Sequence, residues 1–263
     1  MDFSTYQAKA RRTARYPVIG EGGVIYVHVY DTLQNVRLWA VGPAGESLWS
    51  IPASGQYGPP AIAADGTIYS SDSGTLVAVN RDGSAKWSCL LADEWLNHFA
   101  IGGDGTVYAT GSTGLHAISP AGQEKWSYVS PSLRGGVVDV DGSVIVTVSD
   151  TAVALTSDGG VKWKTAVSGL RGGSAAICSD GVIYFGSDSG LCALDRSGDR
   201  LWTRGGFRCD PNPIVAPDGT VYVAGYLQYE PRLYAFQGSA GPADSPWPMY
   251  QHDARHSGWA GTR

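Results

Sequence analysis

Short apolar runs alternate with polar turn residues along nearly the whole chain. One pattern, Asp-Gly followed by an apolar or hydroxylated residue and an apolar pair, stands at residues 65–69, 104–108, 141–145, 180–184 and 218–222, with a weaker copy at 22–26. The steps between copies are 43, 39, 37, 39 and 38 residues, which is the length of one four-stranded propeller blade. Asp-Gly between apolar runs predicts a tight hairpin, because glycine accepts a positive φ and aspartate bonds its own backbone.

A second pattern follows each of these hairpins: an alanine between apolar residues, then a glycine, then a tryptophan. The alanines are Ala40, Ala78, Ala117, Ala154, Ala193 and Ala235, the glycines are Gly45, Gly83, Gly122, Gly159 and Gly198, and the tryptophans are Trp49, Trp87, Trp126, Trp163 and Trp202. In the sixth copy Ala240 replaces the glycine, and Trp247 comes three residues late. The small alanine leaves room for a neighbouring sheet, the glycine makes a further hairpin, and the tryptophan buries a large surface while its N–H finds a partner.

Each copy therefore holds four antiparallel strands, a to d, which in the second copy are 60–64, 67–70, 76–79 and 85–89. Helical periodicity is absent, and repeated hairpins predict an all-β chain. Packing the sheets in a ring covers their faces and protects their edges, whereas the competing open β-solenoid has shorter repeats. We predict a single six-bladed β-propeller with blades at about 17–52, 59–90, 98–129, 135–166, 173–205 and 212–251.

The two termini are predicted to close the ring in the sixth blade. Phe3-Ser4-Thr5-Tyr6 aligns with Trp126-Ser127-Tyr128-Val129, so residues 3–7 have the pattern of a strand d without its own a, b and c. Trp247, within residues 247–251, competes for the same place.

The tandem Asp-Gly-Thr-Val-Tyr, Leu-x-Ala-Leu and Gly-x-x-x-Trp pattern resembles the PQQ-like β-propeller repeat proteins of bacteria, and the tail 245–258 is similar to a terminal motif of that family. The family includes quinone-dependent dehydrogenases, the propeller of the outer-membrane β-barrel assembly machinery and sensor domains of kinases. The dehydrogenases have eight blades, an adjacent cysteine pair and a calcium site. This chain has no adjacent cysteines, so the resemblance implies no catalytic residue, and we predict no cofactor and no bound metal.

Charge and hydropathy exclude two classes of partner. The net charge is −5, from 19 basic and 24 acidic residues, which argues against a nucleic-acid partner. No apolar run reaches membrane-spanning length, so no membrane insertion is predicted. Residues 1–6 lack the charged and apolar regions of a secretory signal, which predicts a cytoplasmic protein as written, or a periplasmic or extracellular one if a signal has been removed. No oligomeric state follows from the sequence.

The variable d–a and b–c loops lie together on one face, the loop face, while the uniform a–b and c–d hairpins lie on the other, the turn face. Binding residues are usually carried by variable loops on a rigid scaffold. The d–a loops lead into the innermost strands, so their side chains are predicted to ring the channel: Arg15, Tyr57, Trp95, His98, Arg134, Arg171 and Arg208. Converging arginines form an anion site; alternatively they cap carbonyls at the channel rim.

The leading hypothesis is a non-enzymatic scaffold that binds a protein segment or an anionic glycan through the loop face. The long b–c loops 30–37 and 225–232 add Tyr30, Tyr226, Tyr229 and Glu230, which suits protein or glycan recognition, unless they reflect only drift in loop length. One alternative is a polysaccharide lyase acting on acidic glycans, with His98 as base, Tyr57 as acid and Arg134 as charge neutraliser. Another is a sensor domain that is part of a larger protein.

Overall fold

The computed structural model describes residues 13–30, 35–53, 58–91, 93–170, 172–210, 212–253, 257–258 and 260, with only the backbone of 13–16. Over these ranges the chain forms 24 strands in six antiparallel sheets, together with one 3-10 turn at Glu21–Gly23. No helix in the described ranges is long and apolar enough to cross a membrane.

The six sheets follow one another along the chain. The first sheet consists of β1 Thr13–Ile19, β2 Ile25–Tyr30, β3 Val36–Val41 and β4 Ser47–Ala53. The second consists of β5 Ala61–Ile62, β6 Ile68–Asp72, β7 Thr75–Val79 and β8 Ala85–Leu90. The third consists of β9 Leu96–Ile101, β10 Val107–Gly111, β11 Gly114–Ile118 and β12 Glu124–Val129. The fourth consists of β13 Leu133–Val138, β14 Val144–Val148, β15 Thr151–Leu155 and β16 Val161–Ala166. The fifth consists of β17 Ala176–Ile177, β18 Ile183–Ser187, β19 Gly190–Leu194 and β20 Arg200–Arg204. The last is formed by β21 Arg208–Cys209, β22 Ile214–Val215, β23 Thr220–Leu227 and β24 Glu230–Gln237.

The Asp-Gly hairpins have the predicted local geometry. In the fourth sheet the Asp141 carboxylate accepts a hydrogen bond from the Ser143 N–H at 2.9 Å, and Gly142 has a φ of +79°. Lys162 of the outer strand β16 reaches back to the same carboxylate at 2.6 Å. Burial raises the pKa of Asp141, but the hydrogen bonds from Lys162 and Ser143 outweigh it and bring the pKa to about 2.

The outer-strand tryptophans of the first four sheets pack against a hairpin glycine of the following sheet. The Trp87 Nε1–H donates to the Pro120 carbonyl at 2.9 Å, and a Cβ added to Gly122 would lie 2.6 Å from Trp87 Cδ2. The same pairing joins Trp49 to Gly83, Trp126 to Gly159 and Trp163 to Gly198. The repeated glycines therefore serve two purposes, a positive φ in the hairpin and space for an indole ring from the preceding sheet.

Residues after β24 lie across the turn-face ends of the innermost strands. Backbone N–H groups of three sheets donate to this tail: Val138 to the Trp247 carbonyl at 2.8 Å, Ile177 to that of Pro248 at 2.9 Å and Ile62 to that of Gly258 at 2.7 Å. The Trp247 side chain is 1% exposed. The alternative that Trp247 completes the sixth blade is wrong, because it pairs with β13 of the fourth sheet instead.

The sixth sheet has one open edge within the described ranges. β21 and β22 pair with the same edge of β23, as two pieces of one inner strand, and β24 pairs with the other edge. Ala235 of β24 is exposed, whereas its five counterparts Ala40, Ala78, Ala117, Ala154 and Ala193 are at most 1% exposed. The predicted closing strand, residues 3–7, lies outside the described residues.

Candidate functional site

The tail covers the turn-face ends of the innermost strands, and the sequence predicts the channel mouth at their loop-face ends. A small pocket of 170 Å³, which we call the channel-mouth pocket, lies at these loop-face ends; it is lined by Asn97, His98, Arg134, Gly135, Gly172, Gly173, Ser174, Asn212 and Tyr250. Asn97 and His98 come from β9, and Arg134 and Gly135 come from β13. The others come from the chain just before β17 and β22 and from the tail. None of the described residues that line it is acidic.

His98 lines the channel-mouth pocket and is almost completely buried. The residue is 5% exposed, and its Nε2 lies 3.2 Å from Ser174 Oγ. The imidazole packs on the ring of Tyr250, with the two centroids 5.5 Å apart. Burial lowers the pKa of His98 to about 4, so the imidazole is neutral at pH 7. His98 Nδ1 has no hydrogen-bond partner among the described residues.

Two further side chains set the polarity of the same pocket. Arg134 is exposed and brings a guanidinium to the rim. The Ser174 N–H donates to Asn212 Oδ1 at 2.8 Å. With its oxygen engaged in this way, the Asn212 amide presents its Nδ2 donor group. The pocket is therefore rich in donors and carries one positive charge from its described residues.

A larger cavity of 810 Å³ lies beside it on the loop face, between the fifth and sixth sheets; we call it the groove. It is lined by Asp188, Ser189, Gly206, Phe207, Arg208, Asp210, Tyr226, Leu227, Gln228 and Tyr229. Arg208 faces Tyr226 across the β21–β23 pair, with its guanidinium 5.7 Å from the ring centroid, and its Nε lies 3.6 Å from Asp188 Oδ1. Tyr229 is 98% exposed at a φ of +70°.

The turn face also has a cleft, of 760 Å³, bordered by the tail and by Asp65, Asp104, Asp244 and Asp253. Its hairpin carboxylates already have structural partners, since Asp65 pairs with Lys86 at 3.0 Å and Asp104 with Lys125 at 3.3 Å. We therefore do not assign the binding function to this cleft.

The predicted channel residues do not form a single described cluster. His98 and Arg134 share the channel-mouth pocket, Arg208 lies in the groove, and Trp95 is half-buried and lines neither. Arg15 lies in β1, where its backbone pairs with that of His28 in β2. Tyr57 and Arg171 lie outside the described residues. Sequence reasoning missed Asn97, Ser174, Asn212 and Tyr250, because no repeated position marks them.

Comparisons with known proteins agree with this architecture. The family described as outer membrane protein assembly factor BamB matches residues 6–137 and 113–241. No curated protein matches the sequence.

Two solved structures are similar in fold. A gluconolactonase-like protein gives a TM-score of 0.50 at 15% identity, covering 90% of this chain and 95% of its own. The calcium-binding protein regucalcin from Agrobacterium tumefaciens gives a TM-score of 0.51 at 11% identity, covering 88% and 92%. At such identities the likeness shows the fold alone.

Proposed function

The chain belongs to the PQQ-like repeat family described as outer membrane protein assembly factor BamB, and we propose that it is a non-enzymatic scaffold that holds a protein segment on its loop face. The family description names an assembly factor, and assembly depends on contacts with other proteins. The observation that carries the proposal is the 810 Å³ groove walled by tyrosines and an arginine.

The composition of the groove supports a protein segment. Tyr226 and Tyr229 are 39% and 98% exposed, and Arg208 lies beside Tyr226. Tyrosine and arginine are enriched among the residues that contribute most to protein binding. An anionic glycan is less favoured, because Asp188 and Asp210 line the same groove and repel repeated carboxylates.

The lyase alternative has less support. A general base works best when its pKa lies near the operating pH, whereas burial lowers the pKa of His98 to about 4. The sensor alternative uses the same face, since it differs only in what the domain is attached to.

Removing a groove tyrosine is expected to weaken peptide binding. Peptides selected on the wild-type protein from a displayed random library should bind Tyr226→Ala or Tyr229→Ala about 10-fold or more weakly, because an aromatic anchor is worth about 1–2 kcal/mol or more. Isothermal titration calorimetry measures the affinities. Tyr222→Ala is the matched control, since Tyr222 is on the same strand and 37% exposed but does not line the groove. If all three variants bind the peptides with equal affinity, the groove does not hold the peptide and the proposal is wrong.

We also propose that residues 3–7 supply the outer strand of the sixth blade and so close the ring. The exposed Ala235 and the open edge of β24 support this placement. Phe3 then takes the position of the outer-strand tryptophans and packs on Gly45, whose φ of +87° matches those of the four tryptophan-contacting glycines.

Deletion of residues 1–10 is accordingly expected to lower the free energy of unfolding by about 2 kcal/mol, the value of burying one phenylalanine side chain. Chemical denaturation followed by tryptophan fluorescence measures the change. Deletion of residues 261–263 serves as the control for trimming a terminus, and the idea fails if the two deletions have the same effect.

A further inference from the structure

The groove and the channel-mouth pocket are joined by one short stretch of chain. Asp210 lines the groove, and Asn212, two positions later, lines the pocket. An extended peptide advances about 3.3 Å per residue, so a segment lying in the groove reaches the pocket within a few residues. The two cavities therefore lie close together on the loop face.

The channel-mouth pocket has the chemistry of a carboxylate receptor. Arg134 supplies a guanidinium, and Asn212 is turned by the Ser174 N–H so that its Nδ2 donor stays available. His98 Nδ1 is buried, in a residue 5% exposed, and has no hydrogen-bond partner among the described residues. In the tautomer in which Nε2 accepts from Ser174 Oγ, at 3.2 Å, Nδ1 carries a proton and is a further donor. Among the described residues, none that lines the pocket carries a negative charge.

The size of the pocket limits what it holds. Its 170 Å³ is below the range of about 300–1,000 Å³ typical of sites for whole small molecules. It suits one small group at the end of a longer ligand.

A carboxylate at the end of a longer ligand can belong to an acidic glycan or to the C-terminus of a peptide. The charges of the groove favour the peptide. Among the described residues that line the groove, Asp188 and Asp210 outnumber Arg208, so an acidic glycan, which carries carboxylates along its length, meets repulsion there. A peptide carries its obligatory carboxylate only at its end. We infer that the channel-mouth pocket binds the free C-terminal carboxylate of a peptide whose preceding residues lie in the groove; this rests on the proposed peptide-binding function.

The experiment uses two displayed random libraries, one with free C-termini and one with free N-termini, selected on the whole protein. Each selected peptide is then synthesised as the acid and as the C-terminal amide, and both are titrated calorimetrically. We expect selection from the first library and an amide that binds about 10- to 100-fold more weakly, the range for hydrogen bonds to a charged group. Arg134→Gln should weaken binding of the peptide acid to the level of the amide and should leave the affinity of the amide unchanged. Arg232→Gln, an exposed arginine outside both cavities, should change neither.

Each other outcome has a separate meaning. Acids and amides of equal affinity, with binding still weakened by Tyr229→Ala, overturn the carboxylate site but leave the groove as a peptide site. Failure to select any peptide from either library overturns both. Oligouronate binding that Arg134→Gln abolishes, without peptide binding, overturns the peptide assignment and makes the pocket a glycan site.

Discussion

Gly122→Ala is expected to lower the free energy of unfolding by about 3 kcal/mol. Gly122 has a φ of +84°, a conformation that costs an L-residue about 1–2 kcal/mol. The added Cβ would also lie 2.6 Å from Trp87 Cδ2, and overpacking of this kind typically costs a further 1–3 kcal/mol. Equilibrium denaturation in urea, followed by tryptophan fluorescence, measures the loss.

Gly142→Ala separates the two contributions. Gly142 has a similar φ of +79°, but the nearest atom to its added Cβ is Ser157 Cβ at 3.6 Å, an ordinary contact. This variant should lose only about 1 kcal/mol, the backbone part alone. If both variants lose the same amount, the indole ring of Trp87 moves aside freely, and the packing of sheet on sheet through tryptophan and glycine is weaker than the structure indicates.

Much of the fold could be predicted because its signals are local and repeated. The hairpins, the strand order within each sheet and the number of sheets all follow from patterns that recur about every 40 residues. The partner of each tryptophan could not be predicted in the same way. Gly122 and Trp87 are far apart in sequence and belong to different copies of the repeat, so their contact depends on how neighbouring sheets pack.

The tail shows where the repeat misled the prediction. Trp247 was expected to compete for the outer strand of the sixth blade, yet it lies under the channel against Val138. Pro246 and Pro248 flank it, and proline has no N–H to donate to a strand ladder. The innermost strands leave apolar side chains at the turn-face end of the channel, and burying Trp247 there covers them.

The candidate site was predicted only in part, for a related reason. His98 and Arg134 were found because the d–a loops enter the innermost strands. Side chains alternate between the two faces of a strand, so the loop position alone did not place Arg208 in the groove. Asn212 and Tyr250 lie on irregular chain, at a broken inner strand and in the tail, where no repeat predicts the position of a side chain.

Acidification from pH 7 to pH 4.5 is expected to lower the free energy of unfolding by about 5 kcal/mol, through two buried histidines. Burial lowers the pKa of His98 to about 4, and burial lowers that of His28 to about 4 despite an opposing hydrogen bond from its ring to the Gly58 backbone. In the unfolded chain both titrate near 6.5. Below pH 6.5 the two histidines are therefore protonated in the unfolded chain but not in the folded protein. The free energy of unfolding falls by up to about 1.4 kcal/mol per pH unit for each histidine until the pH reaches 4.

The hairpin carboxylate of Asp141 does not contribute to the change in stability between pH 7 and 4.5. Hydrogen bonds from Lys162 and Ser143 bring the pKa of Asp141 to about 2, so its contribution is retained above pH 4 and is lost only at lower pH. Urea denaturation at half-unit steps between pH 7 and 4.5 gives the slope. His28→Gln and His98→Gln should each remove about half of that slope, whatever their effect at pH 7, and the double variant should remove nearly all of it. A wild-type stability that is flat over this range would show that water reaches both rings, and His98 would then be a charged wall of the channel-mouth pocket below pH 6 instead of a neutral one.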